Sequence, residues 1–215
     1  VAVGLVIYFA NTLDVSNDGK VILKTVHVWI GYVFAVNLLF RLLWACIGNR
    51  YARWRGFLPG GKGYLRETTR YAKKIFSNKP PQYLGHNPLG RLSVSILLLL
   101  LSIQAVTGLV LAGTDIFFPP FGHWITQWIA APNVDPGTLV PYATDTYDAT
   151  AYADMRAFRS TFIEIHEINF FILLVVAVLH IGAVVVTELK ERNGLVSAMI
   201  TGRKVLNDKP IDDEP

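Results

Sequence analysis

Between Ile168 and Thr187 the chain is apolar apart from Asn169 and His180, and as a helix such a run reaches across a ~30 Å hydrocarbon core. That fact removes most soluble folds from consideration. His166 lies just before the run and His180 inside it, fourteen residues apart. Fourteen residues are close to four helical turns, so both imidazoles project from nearly the same face, ~21 Å apart along the axis. An ionisable side chain in such a helix is costly to keep and points to function. A lone histidine there either hydrogen-bonds across helices or binds a cofactor. Two on one face, near opposite membrane surfaces, point to two axial haem ligands.

The same blocking recurs along the 215 residues. Val26–Ile47, interrupted by Arg41, and Leu92–Ala112 are further apolar runs, and Val1–Ala10 is another, too short to span. A soluble domain with 52% hydrophobic residues spreads them at helical or strand period rather than in blocks. The first run has no initiator Met, basic leader or small-residue cleavage site, so it does not read as a signal peptide but as the end of a first helix. The expected fold is all-α: an integral membrane four-helix bundle, one domain over 1–215, with helices at about 1–10 (partial), 25–47, 92–112 and 162–189.

Charge sets the expected orientation. From Arg41 to Arg91 there are eleven Lys or Arg and one acid, Glu67, whereas Gly113 to Ile165 holds six acids against Arg156 and Arg159. Basic loops stay in the cytoplasm, which makes 48–90 a cytoplasmic loop and 113–161 an acidic periplasmic one, with both termini cytoplasmic and Asn11–Lys24 periplasmic. A basic segment can also bind nucleic acid, but its position between two spans makes topology the better account, and no nucleic-acid partner is expected. The expected location is a bacterial inner membrane, with lipid as surroundings.

Cys46 is the only cysteine and C-x-x-C-H does not occur. Covalent haem attachment and a cysteine-held cluster are therefore excluded, and any haem is b-type, held by histidine. The second span carries His27 about one turn inside its periplasmic end, with Gly31 one turn on, where a missing side chain lets a flat macrocycle approach. His27 and His166 then lie about one turn inside the same boundary and are expected to share one haem. Arg41, fourteen residues after His27, is either a snorkelling arginine or a partner for a haem propionate. Asn87 as N-cap with Pro88 in the first turn starts the third span. His86 beside that cap is either a surface polar group or part of a quinone or haem edge with Arg91, which otherwise faces lipid phosphate. Gln104, Thr107 and Gly108 are expected to pack or hydrogen-bond across the bundle. Leu65–Phe76 reads as a short amphipathic helix and Gly122–Ala131 as an interfacial helix with Trp124 and Trp128 on one face. His123 is expected at the surface, and is the substitute ligand should His27 not serve.

The stretches Arg41-LLWACIGNRYARW, Leu84-GHNPLGR, His27-VWIG and His166-x13-His180-IG resemble the b-type cytochrome subunit of membrane-bound nickel–iron hydrogenases, within the wider bacterial cytochrome b-561 class. The resemblance covers almost the whole chain, and GNRY and GHNP are its specific parts. It implies a four-helix bundle passing electrons between a periplasmic redox partner and membrane quinone. The partner is a hydrogenase small subunit, another dehydrogenase or reductase, or a c-type cytochrome. It also implies a histidine near the start of the first helix. Depth along the helices independently sets a partner for His180 some seven or eight residues before Val1, so two b haems are expected, with the cytoplasmic one half-ligated by the residues given. The approach to the last span, Phe162-IEIHEIN, and the acidic loop before it depart from the family pattern on the partner's side.

Two other readings compete. A stand-alone cytochrome b oxidising superoxide or quinol would need no soluble subunit, and genomic neighbours would separate it from the first. A non-redox scaffold or transporter would favour helices broken by Pro or paired Gly, and the spans here contain no proline.

Overall fold

The computed structural model describes residues 16–75, 77, 81–191, 194, 210 and 211. The expected partial helix at 1–10 lies outside them. The described residues form six α-helices: α1 (Asn17–Ile47), α2 (Trp54–Phe57), α3 (Tyr64–Lys74), α4 (Pro88–Ile116), α5 (Gly122–Ile129) and α6 (Ala149–Glu191). Three of these, α1, α4 and α6, are long and apolar enough to cross a membrane. The chain is thus an all-α, multi-pass membrane protein, and a fourth span would have to come from residues not described.

The long helices outrun their apolar windows. α6 has 43 residues, ~64 Å at 1.5 Å per residue, and begins well before residue 162, where hydropathy alone set its start. Asp148 is its N-cap, accepting from Ala151 N at 2.8 Å. Ser16 does the same for α1, accepting from Gly19 N at 3.3 Å, so that helix begins at Asn17 rather than near residue 25. Asn87 caps α4 as expected: Gly90 N donates to its Oδ1 at 2.7 Å. Caps satisfy the orphan amides of a first turn, so helices extend to the nearest capping residue rather than stopping where hydropathy falls.

Burial is inverted relative to a soluble protein. Val33 and Val178 are 73% and 62% exposed, while Thr107 and Asn169 are 4% and 5% exposed. Lipid solvates valine as well as the interior does, so membrane helices turn polar and small residues toward each other. On α1 the inward register runs Lys24, His27, Gly31, Phe34, Leu38, Arg41 and Ala45, a three-four alternation that keeps one stripe facing a partner.

The chain divides into two compact units. One takes in the described residues to Leu39 together with Leu101–Ile172, and the other Phe40–Leu100 and the residues from Leu173 on. The first unit has a small core in the connection between α4 and α6, built from Ile125, Ile129, Leu139, Tyr147 and Met155. α4 ends where Phe117 takes a left-handed conformation (φ 58°) and Phe118 N returns to Ala112 O at 3.0 Å, which satisfies one of the carbonyls left open in a last turn. A Cβ on Gly122 would lie 1.9 Å from Phe117 O, so only glycine fits beside that turn. The second unit packs α3 through Tyr71, Ile75 and Tyr83. Phe57 in α2 is fully buried under the Arg41 guanidinium, 5.0 Å from the ring centre.

Candidate functional site

α1 and α6 bring His27 and His166 together. Their ring centres are 6.3 Å apart and the ring planes cross at 81°. α4 supplies the groups around them. Gln104 Nε2 lies 2.9 Å from His166 Nε2, and Thr107 Oγ1 lies 2.8 Å from His166 Nδ1. Asn169, one turn along α6, donates to Gln104 Oε1 at 2.6 Å. Gly108 makes the approach possible, since a Cβ there would sit 3.2 Å from His166 Cε1.

One consistent assignment of donors runs through these contacts. Thr107 has one hydroxyl proton, and the carbonyl of Ile103 takes it at 2.8 Å. Its oxygen is left to accept from His166 Nδ1–H. Gln104, with its oxygen turned to Asn169, presents N–H to His166 Nε2. In that assignment His166 is the neutral Nδ1–H tautomer, with its Nε2 lone pair facing Gln104.

Toward one end of the same unit lies a cluster of charge. Asp115 pairs with Lys24 at 2.7 Å and with the Arg159 guanidinium, and Lys24 also donates to Tyr142 OH at 2.7 Å. Lys24 is one turn before His27 and Arg159 two turns before His166. Two cations around one carboxylate leave a net positive charge, and Arg159 Nε is buried without a hydrogen-bond partner among the described residues.

In the other unit His180 is half-buried on α6, with Ser93 Oγ of α4 at 2.7 Å from its Nδ1. Arg41 donates to Ala52 O at 3.2 Å. Arg91 donates to Leu58 O and lies over the Tyr64 ring at 5.6 Å. The two arginines thus grip both ends of the α2 segment. His86 is half-buried just before α4. His123 is exposed on α5, within 3.1 Å of Gln127 Nε2. Gly31 has open space where a side chain would begin, with nothing within 4 Å of an added Cβ.

The chain matches the prokaryotic cytochrome b561 family over residues 1–202. The chain belongs to that family. The hydrogenase resemblance read from the GNRY and GHNP stretches is borne out as well. Similar curated proteins include a probable Ni/Fe-hydrogenase B-type cytochrome subunit of Rhizobium leguminosarum bv. viciae, 26% identical over 87% of this chain and 70% of the relative. Another, of Cupriavidus necator, is 23% identical over 86% and 68%. A probable Ni/Fe-hydrogenase 1 B-type cytochrome subunit of Escherichia coli K12 is 28% identical over 53% and 52%. No solved structure matches the chain.

The family's name brings haem, and the b561-family chain can be tested for fit. Two imidazoles bound on opposite sides of one metal at the usual ~2.0 Å bond have ring centres roughly 6 Å apart. The His27–His166 separation of 6.3 Å meets that requirement, and a metal on His166 Nε2 would replace the Gln104 amide there. Among the described residues no group of three or more His, Cys, Asp or Glu side chains could hold a metal ion. Haem iron needs only axial ligands from the protein, so a two-histidine site is the kind this chain can offer. The open space beside Gly31, one turn from His27, suits a flat group. The residues fit.

Sequence reasoning named the histidines but not Asn169 or Ser93 as their surroundings, and missed the Lys24–Asp115–Arg159 cluster. A signal for Ser93 was present: Ser93 and Thr107 repeat on α4 the fourteen-residue spacing of His166 and His180 on α6.

Proposed function

We propose that the chain is a di-haem b-type cytochrome that carries electrons between a periplasmic redox partner and quinone in the membrane. The observation that carries this reading is the His27–His166 pair, two neutral-capable imidazoles at 6.3 Å within apolar helices. Bound there, haem b supplies a one-electron iron(III)/iron(II) couple. His27 and His166 would hold it, Gly31 would leave room beside them, and Lys24 and Arg159 would supply positive charge at one end of the same unit. His180 would hold the second haem. The apolar lipid-facing surfaces of α1, α4 and α6 keep water from both.

The printed names of the relatives favour a nickel–iron hydrogenase as the partner. The basic 48–90 segment supports a cytoplasmic assignment for that side, and the acidic connection between α4 and α6 a periplasmic one. Quinone would react near Arg41, His86 and Arg91. Of the three, His86 carries the side chain chemically suited to proton exchange with quinone.

The test is a dithionite-reduced minus oxidised spectrum of the purified full-length protein, with haem counted per chain. Two low-spin b haems are expected, falling to one in His27→Ala and in His166→Ala. A spectrum without b haem, or a full complement in both variants, overturns the reading. For the quinone site, His86→Ala with Arg41→Gln should keep both haems and lose quinone-dependent turnover; unchanged turnover would eliminate that assignment.

A further inference from the structure

Two hydroxyls on α4 stand against the two imidazoles of α6 at matching positions. Thr107 Oγ1 is 2.8 Å from His166 Nδ1, and Ser93 Oγ is 2.7 Å from His180 Nδ1. Fourteen residues separate the hydroxyls and fourteen separate the histidines, in opposite order along the chain. In both cases the contacted nitrogen is Nδ1, so in both the Nε2 atom points elsewhere. We propose that Thr107 and Ser93 are positioning residues. Each hydroxyl accepts the Nδ1 proton of its histidine and holds the ring with the Nε2 lone pair turned out for a metal.

The physical reason is the tautomer problem. A neutral imidazole has one proton and two nitrogens, and only the unprotonated nitrogen binds a metal. In water either tautomer is available. In an apolar helix bundle the ring needs a partner for its N–H, and whichever nitrogen finds an acceptor keeps the proton. Thr107 has its own acceptor in Ile103 O at 2.8 Å, which lets its oxygen accept from the ring, and it is 4% exposed, so water does not compete. Ser93 is half-buried and meets the same nitrogen of the second ring.

The hydrogen bond also has an electronic effect. An acceptor on Nδ1–H makes the opposite nitrogen a stronger donor, which favours the more oxidised metal and lowers the reduction potential. Thr107 acts on the His27–His166 site and Ser93 on the His180 site, so the two potentials are adjusted by separate side chains.

This inference rests on the cofactor reading above, and the experiment keeps the two apart. Wild type, Thr107→Val, Thr107→Ser and Ser93→Ala are prepared as the full-length protein, and haem content and the midpoint potential of each b haem are measured by optical redox titration. Thr107→Val keeps the shape and removes the hydroxyl. It should raise the potential of one haem, with haem affinity at that site lower by about 10- to 100-fold. Ser93→Ala should raise the other, and Thr107→Ser should return wild-type behaviour. The proposal is overturned if Thr107→Val and Ser93→Ala keep both haems at wild-type potentials, or if both act on the same haem. If Thr107→Val loses its haem outright, Thr107→Ser decides: retention at the wild-type potential supports the hydroxyl, and loss overturns it in favour of packing. A wild-type protein without low-spin b haem overturns the cofactor reading first, before any variant is made.

Discussion

His166 and His180 share a helix and a face, yet the two units that hold them direct their polar groups differently. Around His166, Gln104, Thr107 and Asn169 form one directed series of hydrogen bonds centred on the ring, with the ion cluster of Lys24, Asp115 and Arg159 in the same unit. In the unit of His180, Ser93 meets the ring, and most neighbouring polar groups fasten a connection instead. Arg41 binds Ala52 O, Arg91 binds Leu58 O, Ser95 binds Phe57 O at 3.1 Å and Tyr64 binds Pro88 O at 2.7 Å. The lesson is that a histidine at the right phase of a membrane helix does not carry its surroundings with it. One unit builds around the ring, and the other uses the same side-chain types to satisfy carbonyls of irregular backbone, which lipid would leave unpaired.

The strongest way to break this comparison is to remove each ring in turn. His166→Ala should abolish one haem entirely and His180→Ala the other, read as haem per chain by pyridine haemochrome. Loss of both from either single variant would mean the sites are not independent.

Next in size is Asp115→Asn. It leaves the buried Arg159 and the half-buried Lys24 without their carboxylate, and removing one partner of such a group costs about 3–5 kcal/mol. Denaturant or thermal unfolding in detergent should show the loss, and Arg41→Gln, whose partner is a carbonyl, should lose less. Equal losses would erase the distinction between a charge-compensated unit and a carbonyl-fastened one.

Gly31→Leu gives a smaller and more specific effect. Nothing of the protein lies within 4 Å of an added Cβ, so stability should hold while haem at the His27–His166 site falls. Full haem retention would show that the space beside Gly31 is not the macrocycle's.

The smallest effect concerns the connection between α4 and α6. Tyr147 donates to Val140 O, and burial, with Tyr152 nearby, pushes its phenol up to about 12. A folded value above the ordinary ~10 of an unfolded chain means the neutral phenol stabilises the fold below pH ~10, and that contribution disappears as pH rises toward about 12. Tyr147→Phe should cost about 0.5–1.5 kcal/mol at neutral pH and flatten this part of the stability profile. A wild-type profile already flat above pH 10 would count against it.

The spans were legible in the sequence because lipid imposes a requirement that side chains alone reveal: some twenty apolar residues in a row. Asn87 and Pro88 were legible for a local reason, since a cap reaches only three residues ahead. Ser16 and Asp148 are caps of the same kind, but they sit in polar stretches where nothing in hydropathy announces a helix. The phase of His27, His166 and His180 followed from counting along single helices. By itself, then, the sequence determined what is local or periodic: the three described segments that are long and apolar enough to cross a membrane, where α4 begins, and which face of each helix carries the histidines. Tertiary structure alone decided which α4 hydroxyl meets which imidazole, that Gln104 and Asn169 complete the ring's partners, and that Asp115 gathers Lys24 and Arg159 from two other helices. Those contacts depend on the register between helices distant in sequence, which close packing of side chains sets and no single segment encodes.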